Sequence, residues 1–347
     1  KYNIMHIKVL LEAHRMLCRV LQSSLSPSFK VFSSRSSCSS IKNQVRMGSL
    51  EPDLTRVTIV DNPLSLQEKI DAIRQGGAAK LQVIADFDST LTKHFVNGRN
   101  RQSSHGIIKQ ENPEYDAKRV ALYEYYHPLE LSTTIPIEEK TKLMEQWWEK
   151  THSLLIEGGL TLDNIKDSVS SCQIAFRDGL VELFELLEVL EVPVLIFSAG
   201  LGDIIEEVLR QKLHRSFKNI EIISNRMLFD DNGKLVSFRG KLIHSLNKNE
   251  HAIEMAVPLH GVLGEEDGPF MYTATMKNRT NVLLMGDNLG DLGMSDGFNY
   301  ETRVSIGFLN DKINDNLESY RKAFDVVYLD DAPMWGVLDL VSGFWTK

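Results

Sequence analysis

At 347 residues, 42% of them hydrophobic, the chain is long enough for one large domain or for a core that carries an insertion. No segment approaches the roughly 18 uninterrupted apolar residues of a membrane span, and the three cysteines, Cys18, Cys38 and Cys172, are too few and too scattered for a disulfide framework or a zinc site. The net charge of −8 is unevenly spread: residues 1–50 hold eight Lys/Arg against Glu12 alone, so they carry +7 and leave −15 on the rest, a balance that argues against binding polymeric nucleic acid by bulk electrostatics.

Residues 1–50 are also rich in serine between Ser33 and Ser40, and a basic, Ser-rich, nearly acid-free stretch has the composition of an organelle transit peptide. Met47-Gly48-Ser49 offers an alternative start, with the preceding segment lying upstream of it. Either way 1–50 is set apart as a leader, disordered or targeting. The body is then expected in the cytoplasm, or in an organelle (mitochondrion or plastid) if residues 1–46 are a transit peptide.

A short helix is expected from Ser65 to Arg74, closed by Gly76-Gly77. Leu81 to Ala85 follows as a short apolar run with the length of a buried strand, and it ends abruptly in Asp86-Phe87-Asp88-Ser89-Thr90. The polar stretch from Lys93 to Glu114 reads as loop. Apolar residues then recur at helical spacing from Tyr115 to Tyr126 and from Ile137 to Ile156, with a third helix from Leu162 to Ser170. No strand is read between Asp88 and about Val192. A parallel sheet needs only a short crossover, so residues 97–171 are expected to be an inserted helical cap domain, and 51–96 with 172–347 the α/β core.

Helix Gly179–Leu190 returns the chain to the sheet, and regular alternation resumes. Strand Val192–Phe197 ends in Ser198-Ala199-Gly200, helix Gly202–Leu213 follows, and strand Ile220–Ser224 leads into a hairpin across Asp230-Asp231-Asn232-Gly233. Asn247 to Ala256 is expected to be helical and 261–268 a surface loop. Strand Val282–Met285 ends in Gly286-Asp287-Asn288-Leu289-Gly290-Asp291, and Val304–Phe308 and Val326–Leu329 are two more strands, each followed by a helix.

Three strands thus end in polar clusters: Asp86/Asp88, Ser198 and Asp287/Asp291. Ligands of open parallel sheets gather beyond the carboxyl ends of the strands. Two aspartates as close as Asp86 and Asp88 repel unless a cation or a shared proton compensates. Mg²⁺ takes oxygen ligands, commonly one or two carboxylates, and Asp86 and Asp287 supply them. One carboxylate can act as nucleophile, a second can protonate a leaving oxygen, and Ser198 and Lys248 can bind the transferring phosphate. Taken singly, each cluster is more simply a turn, an N-cap or a solvated lysine. Their ordered recurrence makes coincidence improbable.

Asp-x-Asp-x-Thr, then Ser, then Lys, then Gly-Asp-x-x-x-Asp resembles the four-motif signature of the haloacid dehalogenase-like (HAD) phosphatases. More closely, residues from about 55 to 345 resemble the cytosolic 5′-nucleotidase III group, the pyrimidine and 7-methylguanosine-phosphate 5′-nucleotidases, through Asp86–Thr92, Ser103-Ser104-His105, Glu138-Glu139-Lys140, Phe197–Asp203, Ser224-Asn225, Asn247-Lys248 and Gly286–Leu292. The resemblance implies a Rossmann-like parallel sheet of HAD type with an inserted helical cap. It also implies Mg²⁺-dependent hydrolysis of a nucleoside 5′-monophosphate through an aspartyl-phosphate. A monomer without a membrane partner is expected.

On that resemblance Asp86 is nucleophile and metal ligand, Asp88 the acid/base with its carbonyl on the metal, Asp287 the third ligand and Asp291 its outer partner. Ser198, Ala199 and Lys248 fall on phosphate-binding positions, Glu130 on the base-recognising glutamate, and Thr151 on a substrate-contacting serine. Trp147 and Trp148 are adjacent on a helix and point about 100° apart, so only one easily faces the site. Trp148 matches a base-stacking aromatic position, and Trp147 is expected in the core. The rival expectations are another HAD phosphatase, such as one resembling phosphoserine phosphatase, and a phospho-accepting receiver domain, which would lack the cap.

Overall fold

The computed structural model describes residues 58–100, 102–132, 134–249, 251–252, 276 and 278–345. The leader, the 261–268 loop and the end of the helix expected from Asn247 lie outside the described residues. Val57–Lys347 forms one compact unit.

Ten strands and eight α-helices follow in the described chain: β1 Thr58–Ile59, α1 Pro63–Gly76, β2 Leu81–Ala85, β3 Phe95–Val96, β4 Arg99–Asn100, α2 Pro113–Leu131, α3 Ile137–Glu157, α4 Leu162–Ser171, α5 Leu180–Val189, β5 Val194–Leu201, α6 Gly202–Leu213, β6 Ile220–Phe229, β7 Leu235–Arg239, β8 Asn281–Gly286, β9 Thr302–Leu309, α7 Ile313–Ala323, β10 Val326–Leu329 and α8 Trp335–Gly343. Eight strands make one sheet in the order β1-β10-β9-β8-β2-β5-β6-β7. The pairs from β10 to β6 are parallel, while β1 and β7 close the two edges antiparallel.

The short apolar run of β2 is buried at every position because helices cover both faces of the sheet. Leu81, Val83 and Ala85 join one core, lined by α1, α5, α6 and α8, whereas Ile84 points into the other, under α7. The helices begin where local chemistry permits. The Asn62 side chain accepts the Ser65 amide ahead of Pro63 at the start of α1, and Thr161 and Asn164 cap α4 reciprocally.

Between β2 and β5 the expected loop from Lys93 contains a miniature hairpin, β3–β4, whose Asn97 and Gly98 both have positive φ, as a type I′ turn demands. Strands this short, and the edge strand β1, leave no alternation for a sequence reading to detect. Tyr126 of α2 and Met144 and Trp147 of α3 make a small core of their own, with Leu122, Leu129, Trp148 and Leu246 packed on it. Leu155 of α3 and Ile165 and Val169 of α4 belong to the main core instead.

Two expected elements differ in detail. Ser198-Ala199-Gly200 is not a plain strand-to-helix turn. The strand continues to Leu201, with Phe197 opposite Ile223 and Leu201 opposite Asn225, so three residues bulge against Ser224. Asn247, Lys248 and Asn249 are not helical; helical residues are His251 and Ala252, so Lys248 precedes the helix rather than opening it.

Candidate active site

β8, β2 and β5 are neighbours in the sheet, so their carboxyl ends bring Asp287, Asp86 and Ser198 to one edge. Asp86 leaves β2 with its amide still donating to Met285 of β8, 3.0 Å away. The Lys248 ammonium donates to Asp86 Oδ1 at 2.8 Å and to Asp291 Oδ1 at 2.5 Å. Asp291 Oδ2 accepts the amides of Asp287 and Asn288 at 3.1 and 3.0 Å, which pins the turn after β8. Behind this turn the Tyr320 hydroxyl donates to the Asp287 carbonyl.

Burial pushes the Asp86 carboxyl up to about 7; Lys248 pulls it down, and Asp291 and Asp88 push it further up. Burial alone would lower the Lys248 ammonium, but the charges of Asp291 and Asp86 outweigh it and hold the lysine above its usual range. One ammonium therefore serves two buried carboxylates. Asp86, Asp287 and Asp291 each offer an oxygen within 4.8 Å of the others. An all-carboxylate donor set of this kind suits a hard divalent cation.

The turn bearing the aspartates is held from beneath by Arg177, whose side chain is fully buried. Its guanidinium donates to the carbonyls of Thr90 (2.7 Å), Ser89 (2.5 Å) and Ala332 (2.6 Å) and to Asn310 Oδ1 (2.8 Å), and it lies 3.1 Å from Asp331. Asn310 donates to Ser89 as well. On the other side of the site the Ser198 hydroxyl accepts the Gly200 amide at 3.0 Å. The Ala199 carbonyl accepts from Asn225 at 2.8 Å and from the Trp148 indole at 2.9 Å.

Trp148 is thus the tryptophan turned to the site. Trp147 stacks on Tyr126 with ring centroids 5.9 Å apart and meets Trp148 edge-on at 4.6 Å. Thr151 is buried, and its hydroxyl donates back to the Trp147 carbonyl at 2.8 Å, so its proton is spent within the helix. Glu130 is half-buried on α2 and makes no ion pair among the described residues. The structure brings Asp86, Lys248, Asp287 and Asp291 together, and it ties Trp148 to Ala199. Neither Glu130 nor Thr151 is bonded to that cluster.

The sequence model of the family described as pyrimidine 5′-nucleotidase (UMPH-1) matches residues 89–344. The chain belongs to that family. Asp86 and Asp88 lie immediately ahead of the matched residues. The nucleotidase is similar to the 7-methylguanosine phosphate-specific 5′-nucleotidase A of Xenopus laevis, 39% identical over 305 residues that cover 86% of this chain and 97% of the relative. It is also similar to a putative cytosolic 5′-nucleotidase 3 of Caenorhabditis elegans, 34% identical over 283 residues, 79% of this chain and 71% of the relative. Among solved structures, a cytosolic 5′-nucleotidase IIIB bound to cytidine superposes with a TM-score of 0.69 at 29% identity, covering 84% of this chain and 96% of that one. The chain is therefore a 5′-nucleotidase with the expected α/β fold. A receiver domain and a phosphatase of the phosphoserine type are set aside as readings of it.

The sequence gives no part to Arg177, Asn310 or Tyr320, and Asn225 enters only within the stretch Ser224-Asn225, without a role. Arg177 carried one usable signal, a cation one residue beyond the apolar Ile174-Ala175-Phe176.

Proposed function

We propose that this nucleotidase hydrolyses 5′-monophosphates of 7-methylguanosine and of pyrimidine nucleosides in the cytosol, with Mg²⁺, through a phosphoenzyme on Asp86. The observation that carries the reading is the carboxylate cluster of Asp86, Asp287 and Asp291 within 4.8 Å, crossed by the Lys248 ammonium. The cytosolic placement follows the word in the names of relatives; no helix among the described residues is long and apolar enough to cross a membrane.

Asp86 and Asp287, with the Asp88 carbonyl, would hold the metal, and Asp291 supports that set from behind. Bound there, Mg²⁺ neutralises charge on phosphate oxygens and relieves the repulsion among the carboxylates. Lys248, the Ser198 hydroxyl and the bulged backbone at Ala199 and Gly200 receive the phosphate. An Asp86 oxygen attacks phosphorus as the bond to the nucleoside oxygen breaks, and Asp88 gives that oxygen its proton. Water then attacks the aspartyl-phosphate, Asp88 takes the water proton, and the Asp86–phosphorus bond breaks.

The helices within 97–171 act as a cap over the base. Trp148 offers a face for stacking, and Glu130 a charge for the cationic 7-methylguanine ring, with Thr151 beside them. Phosphate release from CMP, UMP, dTMP, GMP, AMP and 7-methyl-GMP, with Mg²⁺ and with chelator, tests the reading. Asp86→Asn is expected to abolish release while leaving the unfolding midpoint in place. Turnover by that variant, or full turnover in excess chelator, would refute it.

A further inference from the structure

Asp88 stands in the turn after β2, and Ser104 binds both of its carboxylate oxygens. The Ser104 amide lies 3.0 Å from Oδ1 and 3.1 Å from Oδ2, and the Ser104 hydroxyl donates to Oδ2 at 2.6 Å. Ser104 is wholly buried, although it sits in a polar loop just past the β3–β4 hairpin. The phosphate-side bulge makes room for it: a Cβ on Gly200 would fall 2.4 Å from Ser104 Oγ and 3.2 Å from Ser198 Oγ. A side chain at 200 would therefore displace the serine from Asp88. The next residue, His105, meets Trp148 edge-on at 6.5 Å and lies parallel to His152 at 6.2 Å, so this loop also touches the helix that carries the base platform.

We propose that Ser104 is the positioning residue for Asp88, holding it in line with the leaving oxygen in both of its protonation states; this rests on the reading of Asp88 as the acid/base. In the first half-reaction Asp88 gives up a proton as the phosphorus–nucleoside bond breaks, and in the second it regains one from water. A carboxylate needs donors, while a carboxylic acid carries a donor of its own. A serine hydroxyl meets both cases by donating to Oδ2, which is an acceptor in the carboxylate and also in an acid protonated on Oδ1, so the proton on Oδ1 stays available to the leaving oxygen. The Ser104 amide keeps the carboxyl in place meanwhile.

The test separates proton delivery from general damage. A nucleoside leaves as an alkoxide and needs the proton, whereas 2,4-dinitrophenolate leaves without one. kcat/KM covers the path to the first phosphoryl transfer, so it does not register the later activation of water. Ser104→Ala is expected to lower kcat/KM for CMP or 7-methyl-GMP roughly 100-fold, the lower range of general-acid contributions. With 2,4-dinitrophenyl phosphate it should change by only about threefold, because proton delivery is the contribution removed. Ser104→Cys, which keeps the volume with a weak donor, should fall between and decides the matter if the alanine variant folds poorly. Equal losses on both substrates, or no loss on the nucleotide, would overturn the proposal. Asp88→Asn run alongside should show the same selectivity more strongly. If it does not, the acid/base reading of Asp88 fails, and the role of Ser104 fails with it rather than by itself.

Discussion

Lys248 is the residue whose removal most directly probes the electrostatic arrangement. Its side chain is 4% exposed, and its ammonium bridges Asp86 and Asp291, whose side chains are 10% and 4% exposed. Lys248→Met keeps the length of the side chain and its apolar stem but leaves two buried carboxylates without their shared cation. Breaking a buried pair by removing one member costs about 3–5 kcal/mol. In a compact unit of this size, about 2 °C per kcal/mol puts the loss at about 6–10 °C in Tm.

The penalty should depend on pH. In the variant Asp86 keeps the burial and the Asp291 charge that raise it and loses the lysine that pulls it down. A carboxyl whose folded value is raised binds a proton that the unfolded chain releases, so its stability contribution is present at low pH and lost as pH rises through the folded value. The deficit at pH 8 should therefore exceed that at pH 5.5. Added Mg²⁺ should also stabilise the variant more than the wild type, since the carboxylates retain no competing ammonium. Urea unfolding followed by tryptophan fluorescence, at both pH values and with and without Mg²⁺, measures all three effects. A deficit under about 0.5 kcal/mol at pH 8, the range of an ordinary surface substitution, would refute the buried-pair argument.

Two further outcomes follow from single contacts. Arg177→Met removes the guanidinium donors from the carbonyls of Thr90, Ala332 and Ser89, the last of which keeps Asn310, and leaves Asp331 without its guanidinium; unfolding free energy should fall by at least about 3 kcal/mol, and a smaller loss would mean that water replaces the guanidinium. Glu130→Gln should raise KM for 7-methyl-GMP more than for CMP, because only the cationic base loses a charge partner; equal changes in a two-substrate assay would remove Glu130 from base recognition.

What could be read from the sequence was what the chain encodes locally. The apolar runs of β2, β5 and β8 each give way to polar residues within one or two positions, so their ends marked the site before any pairing was known. The two-residue strands β1, β3 and β4 carry no periodicity, and they were missed for that reason. Lys248 was legible as a cation for phosphate. Its position between Asp86 and Asp291 was not, because those partners lie 162 and 43 residues away. Ser104 stood within the quoted stretch Ser103-Ser104-His105 but without a role: in a loop with Ser, Asn and Gly, a serine reads as turn chemistry, and only its partner sixteen residues earlier gives it another meaning. Thr151 is the converse case. A threonine inside a helix commonly donates to the carbonyl four residues back, and the bond to Trp147 could have been anticipated from spacing alone.

The bond from Trp148 to Ala199 joins the two ends of the proposed substrate site and has a test of its own. The Ala199 carbonyl accepts the indole of α3 and the Asn225 amide together, at 2.9 and 2.8 Å. On the proposed function, the stacking platform is thereby anchored to the bulge that would receive the phosphate, and the indole has two separable duties. Trp148→Phe keeps an aromatic face and removes the N–H. Asn225 still satisfies the carbonyl, so the loss is that of one neutral hydrogen bond, about 0.5–1.5 kcal/mol or roughly 2- to 10-fold. Because that bond concerns the phosphate side, the loss should appear on a base-free aryl phosphate as well as on a nucleotide. Trp148→Ala removes the face too, which adds about 1–3 kcal/mol of stacking. That second increment should appear only on substrates that carry a base. Comparing kcat/KM for both variants on CMP, 7-methyl-GMP and phenyl phosphate resolves the two increments. If phenyl phosphate turns over at the wild-type rate in both variants, the indole anchor is not used in the working enzyme. If the alanine variant matches the phenylalanine variant on nucleotides, Trp148 does not stack on the base.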